Sequence, residues 1–63
     1  MIYSRRMINC DVYVKDVYNG IQILAIGQDA IVVETKEKAV DKLLEMKDNG
    51  VQIPDYVFIK LRS

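Results

Sequence analysis

Side chains capable of catalysis are few and scattered along the 63-residue chain. Because the sequence has no histidine, general acid–base catalysis near neutral pH would depend on carboxylates, lysines, tyrosines or the single cysteine. Asp11 and Asp16 have opposite parity along a predicted strand, so they point to different faces and cannot form a catalytic pair. Asp41 and Glu45 fall on the solvated side of a predicted helix. The sequence therefore predicts that the chain is not an enzyme and has no catalytic residue.

The usual metal and cofactor sites are missing from the sequence as well. Cys10 is the only cysteine and there is no histidine, so a metal site would have to be built from carboxylates alone. Cys10 shares its strand face with Val12 and Val14, which is typical of a small buried hydrophobic residue and not of a nucleophile. The three glycines are isolated and form no phosphate-binding loop. We expect neither a metal nor a cofactor.

Length and composition limit the class of protein further. A domain of 63 residues buries only about 60% of its unfolded surface, so without a disulfide or a metal it needs a second subunit or an unusually good core. The net charge of zero gives no general attraction to nucleic acid or to an anionic membrane. No stretch has the character of a signal peptide or a membrane-spanning helix. We expect one domain over residues 1–63, in the cytoplasm and without a membrane partner, with residues 1–7 as a flexible or strand-extending arm.

Alternating apolar residues predict a first strand from Ile8 to Tyr18. Asn19 and Gly20 are the preferred pair for a two-residue type I′ turn. The sequence therefore predicts a hairpin in which Tyr18 pairs with Ile21.

A second turn is predicted at residues 27–30, followed by a third strand at about residues 30–34. If this turn is symmetric, Ile26 pairs with Ile31 and Leu24 with Val33. This register decides which side chains share a face of the sheet, because side chains alternate along a strand.

A helix is predicted after the third strand. Thr35 is suited to the N-cap, Gly50 to the position after the helix, and Pro54 prevents continuation. Its apolar stripe consists of Ala39, Val40, Leu43, Leu44 and Met46. A last strand is predicted from about Tyr56 to Leu61. The predicted fold class is α+β, a small antiparallel sheet in β-β-β-α-β order with one helix packed on one face.

Both faces of this predicted sheet are apolar. The face expected under the helix holds Ile8, Cys10, Val12, Val14, Ile21, Ile23, Ala25 and Val32. The other face holds Tyr13, Val17, Leu24, Ile26, Ile31 and Val33. A sheet face left to water is normally polar, and an exposed apolar patch usually marks an interaction site. We therefore predict that this second set is a self-association interface in a homo-oligomer, with a two-fold dimer as the first expectation.

Two alternatives remain open for the second face. Residues 1–7, or closure of the sheet into a small barrel, could cover it within one chain. A dedicated hetero-partner could cover it instead. Mass in solution separates a copy of the same chain from the other two possibilities.

A second set of residues could face a partner. It consists of Tyr56, Phe58, Lys60 and Arg62, which alternate along the predicted last strand. Together with Tyr13 and Lys15, they could form the aromatic and basic sheet face on which single-stranded bases stack. The zero net charge and the absence of an RNP-like motif favour a protein partner over nucleic acid.

The helix exit "KDNGVQIPD", residues 47–55, is similar to the Gly-x-x-Ile-Pro exit of the small N-terminal domain of HicB-type antitoxins. With the predicted strand and helix order, the resemblance covers Val12 to Asp55 and implies an antitoxin-like regulatory module. The Pro-Gly-Cys-like turn of that family does not precede the helix here. The leading prediction is a small non-enzymatic protein that self-associates and inhibits or regulates another protein, as phage and mobile-element inhibitors of host machinery do.

Overall fold

A computed structural model describes all 63 residues, as a four-stranded antiparallel sheet followed by two helices. The strands are β1 (Ile2–Ser4), β2 (Val12–Val17), β3 (Gly20–Ala25) and β4 (Ile31–Val33), in that order across the sheet. The helices are α1 (Lys36–Asp48) and α2 (Asp55–Arg62). The α+β class is confirmed, but the predicted β-β-β-α-β order is wrong, because the chain gains a strand at its start and a helix replaces the last strand.

The N-terminal arm forms the edge strand β1. Ile2 lies opposite Lys15 and Ser4 opposite Val14, with a bulge between the two pairs. The bulge allows Tyr3 to enter the core, where it is 1% exposed. The predicted first strand begins too early, since residues 7–10 form a tight turn closed by a bridge from Met7 to Cys10. Ile8, expected in the core, is 91% exposed in this turn.

The first hairpin joins the predicted strands, but its turn and register differ. Tyr18 and Asn19 form the turn and Asn19 lacks the positive φ of a type I′ turn, so the prediction of Asn19 and Gly20 as the central pair is wrong. Ile21 pairs with Asp16 and not with Tyr18, a shift of two residues, and Val17 pairs with Gly20. An even shift preserves the face of every side chain, because the side-chain period of a strand is two. Gly20 has a φ of 150°, and a Cβ there would overlap the carbonyl oxygen of Val33 in the neighbouring strand. The glycine is therefore needed as the first residue of β3, because a side chain there would collide with the backbone of β4.

The register of β4 reverses its predicted faces. Val33 pairs with Ile21 and not with Leu24, a shift of three residues. An odd shift turns each side chain to the other face, so Ile31 and Val33 pack against the core. Val32 points away from the core instead and is 46% exposed.

The prediction of α1 is confirmed at both ends. The Thr35 hydroxyl oxygen accepts a hydrogen bond from the Lys38 N–H at 3.1 Å. After the helix, Gly50 has a φ of 98°, and the Val51 N–H donates to the Met46 carbonyl at 3.1 Å. This is the Schellman ending that glycine permits.

Helix α2 occupies the segment predicted as the last strand. Its buried residues are Val57, Phe58 and Leu61, whose spacing fits one face of a helix. Ile59, which would share a strand face with Val57 and Leu61, is 65% exposed. Asp55 in the first turn complements the helix dipole.

The core lies between the helices and one face of the sheet. The core includes fully buried residues from all three elements that enclose it. These residues, all 0% exposed, are Val12, Val14 and Ile23 from the sheet, Leu43 from α1 and Val57 from α2. Neither helix has the length and apolar character that a membrane span requires. Because both helices pack on the same side, the opposite face of the sheet has no layer above it.

Candidate interaction surfaces

The sheet face that points away from both helices, here called the open face, has no covering element. Its side chains are Ile2, Tyr13, Lys15, Val17, Gln22, Leu24 and Val32. Six of them are half-buried, shaded by their neighbours in the sheet, and Val32 is exposed. Ile26, just after β3, continues the alternation of Gln22 and Leu24 and is exposed beside the open face. The result is a mainly apolar surface on one side of a thin sheet.

Lys15 is the only charged side chain of the open face. It lies opposite Gln22 on β3 and opposite Ile2 on β1, near the middle of the surface. Its ammonium nitrogen is 5.8 Å from the centroid of the Tyr13 ring, and it takes part in none of the ion pairs of the chain. Any molecule that covers the open face must therefore accommodate one unpaired positive charge.

The predicted self-association residues divide between two environments. Tyr13, Val17 and Leu24 lie on the open face. Ile26 lies just after β3 and is 59% exposed. The placement of Ile31 and Val33 on this face is wrong, since both pack against the core. Sequence reasoning missed Ile2 and Val32, because it used neither β1 nor the register of β4.

The four predicted partner-facing residues do not share a face, because they lie on a helix. Tyr56 and Lys60 face one side, with the lysine nitrogen 5.6 Å from the tyrosine ring centroid. Phe58 and Arg62 face another side, and Phe58 is 6% exposed. The predicted sheet face of aromatic and basic residues is therefore wrong.

A groove between the C-terminal half of α1 and α2, here called the helix groove, is the second candidate surface. It has a volume of about 340 Å³ and is lined by Leu44, Lys47, Asp55, Phe58, Ile59 and Arg62. Lys47 is 3.7 Å from the Asp55 carboxylate, whereas Arg62 has no ion-pair partner. The groove thus combines apolar walls with one uncompensated cation.

At the edge of the sheet, the Tyr3 hydroxyl and the amino terminus both contact the carboxylate of Asp16. The Tyr3 hydroxyl donates a hydrogen bond to the Asp16 carboxylate at 2.8 Å, and the amino group of Met1 lies 3.4 Å from the same carboxylate. The hydrogen bond from Tyr3 lowers the pKa of Asp16, and burial raises the pKa of Tyr3. These contacts attach β1 to β2.

The thiol of Cys10 is 2% exposed and lies 3.4 Å from the Val12 carbonyl oxygen. Burial also raises the pKa of Tyr56, and the neighbouring Cys10 adds to the increase. No group of three or more histidine, cysteine, aspartate or glutamate side chains is placed to hold a metal ion.

Comparison of the chain with protein-family models, with curated proteins and with solved structures gives no significant match. The order of elements behind the HicB-type resemblance is also incomplete, since α2 stands where the last strand was predicted. The open face and the helix groove are therefore interpreted from their own geometry.

Proposed function

We propose that this chain is a small binding protein that pairs with a second copy of itself through the open face and acts by binding another protein, as an inhibitor or regulator. The observation that carries the proposal is the packing of both helices on one face of the sheet. Tyr13, Leu24 and Val32 on the other face are left without a covering layer. Apolar surface of this kind is usually used for association.

The size of the open face sets the expected strength of the dimer. Two strands of six residues and two of three, about 4.8 Å apart and at about 3.3 Å per residue, span roughly 300 Å². That is about a third of the roughly 800 Å² per partner in a stable interface. Ile26 enlarges the patch at one end. We therefore expect a reversible dimer with a dissociation constant of about 1–100 μM.

Lys15 limits the affinity of this dimer. Face-to-face pairing removes the centre of the open face from water, and an unpaired ammonium group there is costly. The long side chain can extend its charged end toward the rim of the interface, which reduces the cost. We therefore expect a lower affinity for the dimer than the apolar area of the open face alone would predict.

The proposal assigns the chain no catalytic step, no cofactor and a cytoplasmic location, in the manner of phage and mobile-element inhibitors of host machinery. Burial of the only thiol, Cys10, supports a binding role over nucleophilic chemistry. The separation of Tyr56 and Lys60 from Phe58 and Arg62 favours a protein partner over single-stranded nucleic acid.

Sedimentation equilibrium between about 1 and 300 μM tests the self-association, in the range that the proposed interface area implies. Leu24→Asp places a charge on the open face and should raise the dissociation constant by at least about tenfold. Ile59→Asp is the matched control, because Ile59 is also an exposed apolar residue but lies on α2. A wild-type chain that stays monomeric throughout, or a dimer that Ile59→Asp disrupts and Leu24→Asp does not, would contradict the proposal.

A further inference from the structure

Two exposed apolar side chains form the walls of the helix groove. Leu44 on α1 is 43% exposed and Ile59 on α2 is 65% exposed, while Phe58 lies between them at 6% exposure. The groove volume of about 340 Å³ is at the lower end of the range for ligand sites. It is large enough for a side chain of a partner and too shallow to enclose a large ligand.

The charges around the groove are not balanced. The Lys47 nitrogen lies 5.6 Å and the Arg62 guanidinium carbon 5.9 Å from the centroid of the Phe58 ring. Asp55 compensates Lys47 across 3.7 Å, but no carboxylate lies within ion-pair distance of Arg62. A guanidinium group beside an aromatic ring is partly oriented and favours a planar carboxylate as its partner.

We propose that the helix groove docks a segment of another protein that inserts a large apolar side chain between Leu44 and Ile59 and presents a carboxylate to Arg62. This inference rests on the proposed function for the statement that the chain binds a protein, and it adds the site and the chemistry of that partner. The apolar walls favour a peptide over a phosphate group. Amphipathic segments bind such grooves through spaced apolar anchors. The groove lies on the helical layer, so the open face stays available to a second copy.

Protein NMR with a minimal probe tests this chemistry. The probe is 3-phenylpropionate, which joins an aromatic ring to a carboxylate, and 3-phenylpropylamine is its matched cationic control. The carboxylate probe should shift the amide signals of Leu44, Phe58, Ile59 and Arg62, with a dissociation constant of about 1–10 mM. The amine should bind at least about fivefold more weakly, because Arg62 repels it.

Variants assign the binding to the groove. Arg62→Gln should weaken binding of 3-phenylpropionate at least about fivefold, whereas Arg6→Gln, an exposed arginine outside the groove, should not change it. Signal shifts on the open face, equal binding of the two probes, or no effect of Arg62→Gln would overturn the proposal. Absence of any shift at about 20 mM probe would overturn it too, since the expected dissociation constant is lower.

Two variants separate this inference from the proposed dimer. Leu24→Asp should weaken the dimer at least about tenfold and keep probe binding, and Ile59→Asp should keep the dimer and lose probe binding. If Arg62→Gln weakens the dimer in sedimentation equilibrium, the groove is a contact between copies and the docking proposal is wrong. If Leu24→Asp leaves the dimer intact while Arg62→Gln still impairs probe binding, the dimer proposal fails and the docking proposal stands.

Discussion

The two faces of the sheet come from the same strands and similar residue types, yet their environments differ. In β3, Ile23 is 0% exposed, whereas the next residue, Leu24, is only half-buried. In β2, Val14 is 0% exposed and Val17 is half-buried. The difference comes from α1 and α2, which supply apolar side chains to one face only. An apolar residue in a strand is therefore suited to burial on either face. Whether it is buried depends on which face the two helices cover.

This difference implies a division of roles. The covered face, where residues from both helices meet the sheet, should carry most of the free energy of folding. A domain of this length is expected to be stable by only about 3–9 kcal/mol. Open-face residues should contribute little to the folding of a single chain and more to association. Changes matched in chemistry on the two faces test that division.

The largest effect is expected from the neighbouring pair Ile23 and Leu24. Ile23→Ala leaves a cavity against the helices and should lower the free energy of unfolding by about 3 kcal/mol. Leu24→Ala removes as many carbon atoms from the open face and should cost less than about 1 kcal/mol, because its side chain is already partly in water. Urea unfolding at about 1 μM, at the lower limit of the expected dimer dissociation constant, measures both. Equal losses would mean that the open face is covered within the chain.

The next effect tests the register that turns Ile31 and Val33 toward the covered face. Gly20→Ala directs a methyl group at the Val33 carbonyl and should cost about 2 kcal/mol or more. Gly27→Ala is the matched control, since Gly27 also has a positive φ, 76°, but a methyl group added there would meet no atom within 4 Å apart from those of the adjoining residues. That control should cost only about 1 kcal/mol. Similar losses in urea unfolding would indicate that β4 does not pass as close to Gly20 as the structure places it.

Local signals were enough to predict parts of this fold. Thr35 and Gly50 fixed the ends of α1, because capping depends on residues within one helical turn. The alternation of β2 and β3 assigned their faces correctly even though the register was shifted by two residues.

Elements that depend on distant contacts were not predictable in the same way. Val57 and Leu61 fit both a strand face and a helix face, and the choice depends on α1 and β1, against which α2 packs. For β4, the loop of residues 26–30 has no glycine pair that would fix the pairing, so an odd error in register reversed its faces. The open face was therefore predicted to exist, but with Ile31 and Val33 in place of Val32 and Ile2.

A smaller effect is expected from the only charge of the open face. Lys15→Met keeps a side chain of similar length and removes the ammonium group, so it should tighten the proposed dimer by about tenfold. Sedimentation equilibrium measures the change, and Lys38→Met on the exposed side of α1 is the control. A dimer that becomes weaker would show that Lys15 meets a carboxylate of the second copy. Unchanged affinity would show that Lys15 stays in contact with water in the dimer.

The smallest effect is expected at the edge where the two faces meet, from the hydrogen bond between Tyr3 and Asp16. The pKa of Asp16 is lowered in the folded chain, chiefly by the Tyr3 hydroxyl, so the stabilisation is complete above the unfolded value of about 4 and is lost as pH falls through the folded value. The pKa of Tyr3 is raised, chiefly by burial, so its contribution is complete below about pH 10 and is lost as pH rises further.

Urea unfolding from about pH 2 to pH 11 should therefore show a loss of stability at each end, which Tyr3→Phe reduces at both ends. Part of the alkaline loss should remain in this variant, because the pKa of Tyr56 is also raised. Asp16→Asn should reduce the acid loss, and Asp29→Asn, in the exposed loop after β3, is its control. Because the Asp16 side chain is 43% exposed, water competes for the carboxylate and the effect should stay below that of the core variants. If Asp16→Asn and the wild-type chain lose stability in parallel below about pH 4, the contact does not hold β1 against β2 in solution.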